Sequence, residues 1–485
     1  METTINLRIK KVLTLTLIIM MVSSCTPKKG KVQVNEKWQP SLESISAHEA
    51  PEWLKDAKIG IQFVGPPQDF NDLYSRLWIK DVQMRRELGY KEPNDDEFDT
   101  LEFYSTGQLR LDYVMKDEED EERYDYDKLM ESYKQTGARF LKSTLLGCYP
   151  GTEGLLMLED EVSAARRHGF KIGIHYNLLG TGKIPAIGHP GYVEWSLNKL
   201  KNEINRINAD FLFFDGASEP ASFHKTPELV AWFYNNADIK GKDVWVNDDL
   251  GSDCSEKWEY GDVFEMEGTI MSSVSPKTWM KWDNITNQWD CWVNEFGIGV
   301  RNGTKWEWVY REPEDMLHIF IDIVSKGGIW LVQMVNTKQA WENMWEIGDW
   351  LGINGEAIYN TRPFFEADTA CYRVPQGPLP EEARKMNRDE RYWWRYQQTI
   401  DIATKHGPYY YTSKNDVVYV IHWGWPGDEI FIPGIHAKES SSIRMLGVEK
   451  DLIWQQEGGN LIVQTPDVKP CKYAYCFKIH LASNK

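Results

Sequence analysis

The chain has 485 residues, of which 42% are hydrophobic and 26% are charged, and this composition is typical of a folded protein. Its formal net charge of -18 argues against binding to the phosphate backbone of nucleic acids. The length allows two or three domains, and an α/β barrel can hold most of it in one.

The N-terminus has the pattern of an export signal. Basic residues near position 10 precede an apolar run, 12–22, that is too short to span a bilayer as a stable helix. The run ends in Val-Ser-Ser-Cys at 22–25, which resembles the bacterial lipobox, where cleavage precedes a cysteine that receives lipid. An ordinary signal peptide and a transmembrane anchor are the alternatives. We expect 1–25 to be a lipoprotein signal with lipidation at Cys25, and 26–50 to be a tether.

From residue 51 to residue 363, strand-like runs alternate with helical patterns. Several spacers, such as 127–136 and 191–208, read as amphipathic helices. Alternating strands and helices imply parallel pairing with right-handed crossovers, and eight such units make an α/β fold of the (β/α)8 TIM-like barrel type. The eight predicted strands are 59–65, 138–144, 171–177, 210–216, 243–248, 262–268, 289–294 and 328–334.

The pattern changes after Pro363. Short strand-like runs separated by turn residues follow, and this arrangement is typical of a β-sandwich. We therefore predict a C-terminal antiparallel β-sandwich over 364–485, after a catalytic barrel over 51–363. The runs are 417–424, 429–433, 442–446, 452–455, 461–464 and 473–480.

Two strands of the predicted barrel carry acidic residues near their ends. Asp215 closes an apolar strand and is followed by Gly216, and the sixth strand contains Glu265 and Glu267. The carboxyl ends of parallel barrel strands border the cleft where chemistry takes place. Because side chains alternate along a strand, both glutamates face the same side, and periodicity does not separate them.

Several longer motifs resemble glycoside hydrolase family 29, the retaining α-L-fucosidases. Together with the N-terminal export signal, the resemblance implies an exported exo-glycosidase that releases terminal α-L-fucose, or a related sugar such as L-galactose, from glycans. It also implies that Asp215 is the nucleophile and Glu267 the acid/base, with Glu265 as the alternative, since retaining chemistry needs two carboxyl groups about 5 Å apart. The motifs are 56–60, 126–127, 137–140, 212–216, 323–328, 347–351, 354–359 and 361–363.

The groups that this family uses to hold fucose are changed in the chain. The His-His-Asp-Gly motif falls on Gly-Cys-Tyr-Pro at 147–150, Asn-Asp-Arg reads Asn-Asp-Asp at 247–249, and a tryptophan is replaced by Phe213. We therefore expect altered sugar contacts. Tyr176 matches a family tyrosine, and alternation turns either Tyr176 or its neighbour His175 away from the lumen. The candidate substrate contacts are Tyr176, His175, Phe213, Gln62 and Trp292.

No metal or cofactor is expected, because carboxylates alone can carry out a retaining hydrolysis and no metal-ligand spacing occurs. The expected partners are an oligosaccharide or glycan substrate and, through the lipid anchor only, the bacterial membrane, on its periplasmic or outer side. The negative net charge and the predicted export argue against a nucleic-acid partner. The competing hypothesis is a non-catalytic carbohydrate-binding lipoprotein on a glycosidase scaffold. The presence of Asp215 at the expected position favours the enzyme.

Overall fold

A computed structural model gives the fold of the chain. In the described part of the chain, two short helices come first, and a parallel sheet follows whose strands alternate with longer helices. The residues that the structure describes are 37–63, 125–143, 159–178, 190–217, 219–254, 260–267, 269–286, 298–301, 304–307, 309–334, 338–374, 381, 385, 388–405 and 407–482.

Eight parallel strands form one sheet in the described part of the chain. They are β1 (Ile59–Phe63), β2 (Phe140–Ser143), β3 (Lys171–Asn177), β4 (Phe211–Asp215), β5 (Trp245–Val246), β6 (Phe264–Glu267), β7 (Trp279–Asn284) and β10 (Gly328–Gln333), while β8 (Ile298–Arg301) and β9 (Thr304–Glu307) pair separately. The order in the sheet is β5-β4-β3-β2-β1-β10-β7-β6. The helices are α1 (Leu42–Ile45), α2 (Glu52–Ala57), α3 (Tyr126–Gln135), α4 (Glu159–Arg167), α5 (Pro190–Arg206), α6 (Ala221–His224), α7 (Thr226–Lys240), α8 (Pro313–Ser325) and α9 (Lys338–Asn354).

The two edges of this sheet, β5 and β6, meet and close it. A parallel bridge joins Asn247 to Val263. The backbone N–H groups of Asp262 and Val263 donate to the carbonyl oxygen of Val246, at 3.0 and 3.3 Å. The predicted (β/α)8 barrel is confirmed.

The lower lumen of the barrel is a packed core rather than a pore. Phe140 lies against Gly60, and Phe211 lies against Gly173, so a Cβ at either glycine would overlap the neighbouring ring. Phe211 also stacks on Trp245, with ring centroids 4.5 Å apart. Leu54 and other residues around α2 join these rings in one cluster and close the amino-terminal end of the lumen.

The chain packs on the barrel earlier than the predicted tether suggests. Trp38 and Ile45 are 6% and 1% exposed, and the backbone N–H of Trp38 donates to the side chain of Asn235 on α7, at 3.0 Å. Residues 38–50 therefore belong to the folded unit, while Cys25 lies outside the described residues.

The seventh strand of the sheet is Trp279–Asn284, not the predicted 289–294, which lies outside the described residues. The outer face of β7 carries Lys281 and Asp283, which are 0% and 3% exposed. Asp283 forms ion pairs with Lys281 at 3.0 Å and with Arg311 at 3.1 Å. A buried ion pair interrupts the apolar pattern by which a core strand is recognised, and this explains the error.

The C-terminal domain is an antiparallel β-sandwich, as predicted. A five-stranded sheet, β11-β12-β13-β18-β15, and a three-stranded sheet, β14-β17-β16, share a core that includes Val420, Ile432 and Phe477. The strands are β11 (Arg362–Pro363), β12 (Tyr409–Lys414), β13 (Val417–Trp423), β14 (Glu429–Pro433), β15 (Arg444–Met445), β16 (Trp454–Glu457), β17 (Asn460–Gln464) and β18 (Ala474–His480).

Two connecting segments tie the sandwich to the barrel. The helix α10 (Arg388–Thr404) lies beside α8, and the guanidinium of Arg311 lies 3.4 Å from the ring centroid of Tyr396. The segment 368–374 returns to pair with the chain after β6, where the Val374 N–H donates to the Ile270 carbonyl at 3.0 Å. None of the helices in the described ranges is long and apolar enough to cross a membrane.

Two glycines of α9 are expected to respond oppositely to substitution by alanine. At Gly348 a Cβ would overlap the carbonyl oxygen of Gln135 in α3, so Gly348→Ala should lower the free energy of unfolding by about 1–3 kcal/mol. Gly352, one turn further, has open space, so Gly352→Ala should raise it by up to about 1 kcal/mol. Denaturant unfolding of the three proteins measures both effects. Equal effects at the two positions would contradict the close contact of α3 with α9.

Candidate active site

Asp215 is the last lumen residue of β4. Leu212 and Phe214 point to the outer core, whereas Phe213 and Asp215 alternate with them on the lumen side. The Asp215 side chain is 29% exposed and Phe213 is fully buried, so on this strand Asp215 is where the lumen reaches solvent. Gly216 takes a φ of 68°, which favours glycine, and its backbone N–H bonds to the Asp215 carboxyl.

His175 on β3 hydrogen-bonds to Asp215. Its Nε2 lies 3.1 Å from Oδ2 of Asp215, and the residue is 8% exposed. Burial and the positive charge of Lys142 lower the pKa of His175, despite the opposing effect of Asp215. The ring is therefore neutral near pH 7, and its Nε2–H donates to the carboxylate.

Lys142 on β2 brings a cation into the lumen below Asp215. Its side chain is fully buried, and its Nζ lies 3.8 Å from the ring centroid of Phe213 and 3.6 Å from that of Trp282. The faces of aromatic rings attract a cation electrostatically, and the attraction grows when water is excluded. The two rings thus hold the ammonium at the centre of the site.

These neighbours decide the charge of Asp215. Burial alone raises the pKa of its carboxyl, but the hydrogen bond and electrostatic attraction of His175, the charge of Lys142 and the Gly216 N–H together lower the pKa by more. The net result is a pKa below the usual value for aspartate. Asp215 is therefore a partly exposed carboxylate that is ionised at neutral pH.

Two adjacent side chains after β5 fix the strand ends on either side. The Asn247 side chain accepts from the Phe214 N–H at 2.6 Å and donates to the Phe214 carbonyl at 2.8 Å, directly before Asp215. Asp248 accepts from the backbone N–H of Glu265 at 2.9 Å. One short segment therefore positions the acidic ends of both β4 and β6.

The two glutamates of β6 occupy lumen positions in the register. Glu265 pairs with Met280 and Glu267 with Trp282, and both partners belong to the lumen cluster. Glu265 is half-buried, and the side chain of Glu267 lies outside the described part of the structure. The backbone thus keeps both glutamates as candidates for a second carboxyl group.

The remaining predicted contacts are scattered. Tyr176 lies in the outer core with its ring 6.0 Å from that of Phe214, on the face opposite His175. Phe213 is buried beneath Asp215. Gln62 is 3% exposed, and its Oε1 has no hydrogen-bond partner among the described residues. Trp292 lies outside those residues.

The sequence analysis did not identify Lys142 or the role of Asn247. The position of Lys142 in the lumen could have been predicted, because it lies two residues after Phe140 and therefore on the same face of β2. For Asn247 no signal existed, since its side chain bonds to the backbone of a residue 33 positions away. Within the described ranges, no three acidic, histidine or cysteine residues come together to hold a metal ion.

Comparisons with known proteins point to one family. The family model for α-L-fucosidase matches residues 159–356, and the model for the α-L-fucosidase C-terminal domain matches residues 402–480. Tissue α-L-fucosidase of Bos taurus is 25% identical over 346 residues, which cover 65% of this chain and 62% of that protein. The human tissue enzyme is 24% identical over 344 residues, covering 65% and 63%. The chain thus spans less than two thirds of the length of these relatives.

A solved structure agrees with this fold. The α-fucosidase of Thermotoga maritima, in complex with a mechanism-based inhibitor, superposes with a TM-score of 0.57 at 16% identity and covers 91% of this chain and 100% of its own. At this identity the superposition establishes the likeness of the fold.

Asp248→Asn is expected to stabilise the protein more at higher pH. Burial and the charge of Asp249 raise the pKa of Asp248 to about 7, against the hydrogen bonds from the Glu265 and Asp248 N–H groups and the charge of Arg373. The unfolded value is about 3.9, so the stability linked to this proton is full below about pH 4 and is lost progressively as the pH rises to about 7. Asparagine carries no charge and still accepts the Glu265 N–H.

The measurement is the melting temperature of both proteins at pH 5 and pH 8, and the difference should move in favour of the variant at pH 8. The exposed Asp243→Asn serves as the control and should show no such trend. A difference that stays constant with pH would contradict a raised pKa at Asp248.

Proposed function

Because this chain belongs to the α-L-fucosidase family, glycoside hydrolase family 29, we propose that it is a retaining exo-glycosidase that removes terminal α-L-fucose, or the related L-galactose, from glycans. The observation that carries the proposal is the state of Asp215: an ionised carboxylate at the carboxyl end of β4, held by His175 and Gly216. A retaining glycosidase requires a nucleophile of this kind.

In the first step, a carboxylate oxygen of Asp215 attacks the anomeric carbon of the sugar. The bond from this carbon to the aglycone oxygen breaks, its electron pair leaves with that oxygen, and a glutamic acid of β6 supplies the proton. In the second step, water attacks the same carbon and gives a proton to that glutamate. The bond to Asp215 breaks, and its electron pair restores the carboxylate.

The neighbours of Asp215 suit both steps. A neutral His175 donor orients the carboxylate without protonating it, and the Asn247 clamp on Phe214 fixes the strand that carries it. Preorganised groups of this kind lower the barrier because they need no rearrangement during the reaction.

The sugar is recognised by different groups from those typical of the family. The motifs at 147–150 and 247–249 lack the family's histidine and arginine groups, whereas Gln62 brings a buried amide to the lumen. A site that hydrogen-bonds sugar hydroxyls discriminates strongly between closely related sugars. L-Galactose differs from L-fucose by one hydroxyl group, so we include it as a substrate.

The proposal includes export and a lipid anchor at Cys25. It is supported by the basic region, the apolar run 12–22 and the small residues before the cysteine. The mass of the N-terminal peptide of the mature protein tests it, and an unmodified N-terminus at another residue would contradict it.

The central test is a panel of aryl glycosides that includes the α-L-fucoside and the α-L-galactoside. We expect the wild-type protein to release the aglycone from one of them, and Asp215→Asn to lose activity by on the order of 10³-fold or more. The exposed Asp243→Asn is the control and should remain active. Sugar binding without turnover by the wild type would contradict the proposal and support a binding protein instead.

Glu265→Gln and Glu267→Gln, assayed side by side, identify the acid/base. The true acid/base variant should lose roughly 10²–10⁴-fold on a disaccharide, whose leaving group needs a proton. With an aryl glycoside, whose leaving group is acidic and needs no proton, the rate of glycosidic bond cleavage by the same variant should change far less. We expect this pattern for Glu267→Gln. If only Glu265→Gln shows this pattern, Glu265 is the acid/base. If neither variant shows it, the acid does not come from β6.

A further inference from the structure

The two rings that hold Lys142 also enclose His175. The His175 ring lies edge-on to Phe213 and to Trp282, with centroids 5.7 Å apart in both cases. The Lys142 ammonium lies within 4 Å of the same two ring centroids. The cation and the imidazole thus contact the same two rings in the buried lumen, where water screens their electrostatic interaction only weakly.

We propose that Lys142 is a positioning residue of this site: its buried ammonium keeps the His175 ring uncharged, so that the ring acts on Asp215 only as a hydrogen-bond donor. Lys142 supplies the positive charge, and His175 supplies the directed hydrogen bond. The role is separate from bond making, since Lys142 is fully buried below the carboxylate.

The other groups around His175 are consistent with these separate roles of Lys142 and His175. Asp215 faces the ring from β4 and favours its protonation, and Lys142 faces it from β2 and opposes it. The neighbouring elements β4 and β7 add the uncharged Phe213 and Trp282, and the glutamates of β6 stand at lumen positions beside Trp282 and Met280. Burial also disfavours the imidazolium, so the pKa of His175 is lowered although a carboxylate is its hydrogen-bond partner.

For catalysis, the inference rests on the proposed function. Asp215 loses its negative charge when it bonds to the anomeric carbon and regains it when water displaces it. A fixed cation below Asp215 favours the carboxylate. Lys142 therefore favours the second step, in which the carboxylate leaves, more than the first.

The direct test is an NMR titration of the histidine ring signals in wild type and in Lys142→Met. His175→Gln assigns the His175 signal, and the exposed Lys414→Met is the control. We expect the titration midpoint of wild-type His175 to lie below the ordinary value for histidine, and Lys142→Met to raise it. Lys414→Met should leave it unchanged.

Two results would overturn the proposal: a wild-type His175 that titrates near pH 6.5 like a solvated ring, or a midpoint that Lys142→Met does not raise. The first result does not depend on Lys142→Met, so the proposal stays testable even if that variant fails to fold, which circular dichroism would show.

A kinetic measurement tests the catalytic part. At a pH where His175 is neutral in both proteins, Lys142→Met should show a burst of aglycone followed by a slower steady rate, with kcat and KM falling together. A fall in kcat without a burst or a change in KM would contradict the effect on the second step. If neither protein turns over any sugar while the titration behaves as expected, the proposed function fails and the electrostatic role of Lys142 stands.

Discussion

The whole site depends on how the barrel closes between β5 and β6. In the described structure β5 has only two residues, so a backbone ladder alone cannot hold this seam. Side chains complete it: Asp262 accepts from the Val246 N–H at 2.9 Å at the lower end, and Asp248 accepts from the Glu265 N–H at the upper end. Asn247 extends the same arrangement to β4. The strands that carry the candidate carboxylates are therefore positioned by side chains that take no part in bond making.

Because side chains alternate along the strands, the buried charged residues of the barrel fall into two groups, one on its outer face and one in its lumen. On the outer face of β7, Lys281 and Asp283 form a buried ion pair that serves packing. On the lumen face, Lys142 lies between aromatic rings and acts electrostatically on His175 and Asp215 through the buried interior. Burial of charge is costly in both places. In the lumen, the buried charge lies next to Asp215, a carboxylate that solvent can reach.

The sequence was sufficient for the barrel, the sandwich and the acidic residues at strand ends, because these depend on local periodicity. It failed at β7, since the buried Lys281 and Asp283 do not look like core residues. Tyr176 and His175 are adjacent, and periodicity states that they diverge without saying which one enters the lumen; the register with Phe213 decides for His175. The links from Asn247 to Phe214 and from Lys142 to Trp282 join distant parts of the chain, and no local pattern contains them.

The docking of residues 38–50 also sets how the molecule would stand on a surface. His48 bonds to Asp262 at 3.0 Å, so this segment is attached to the amino-terminal face of the barrel, and just after it the indole of Trp53 bonds to the Asp243 carbonyl. Asp215 opens on the opposite face. If Cys25 carries a lipid, as proposed, it is separated from the first docked residue, Trp38, by 12 residues, which can span at most roughly 45 Å. Such an anchor would hold the amino-terminal face of the barrel, rather than the opening at Asp215, next to the membrane.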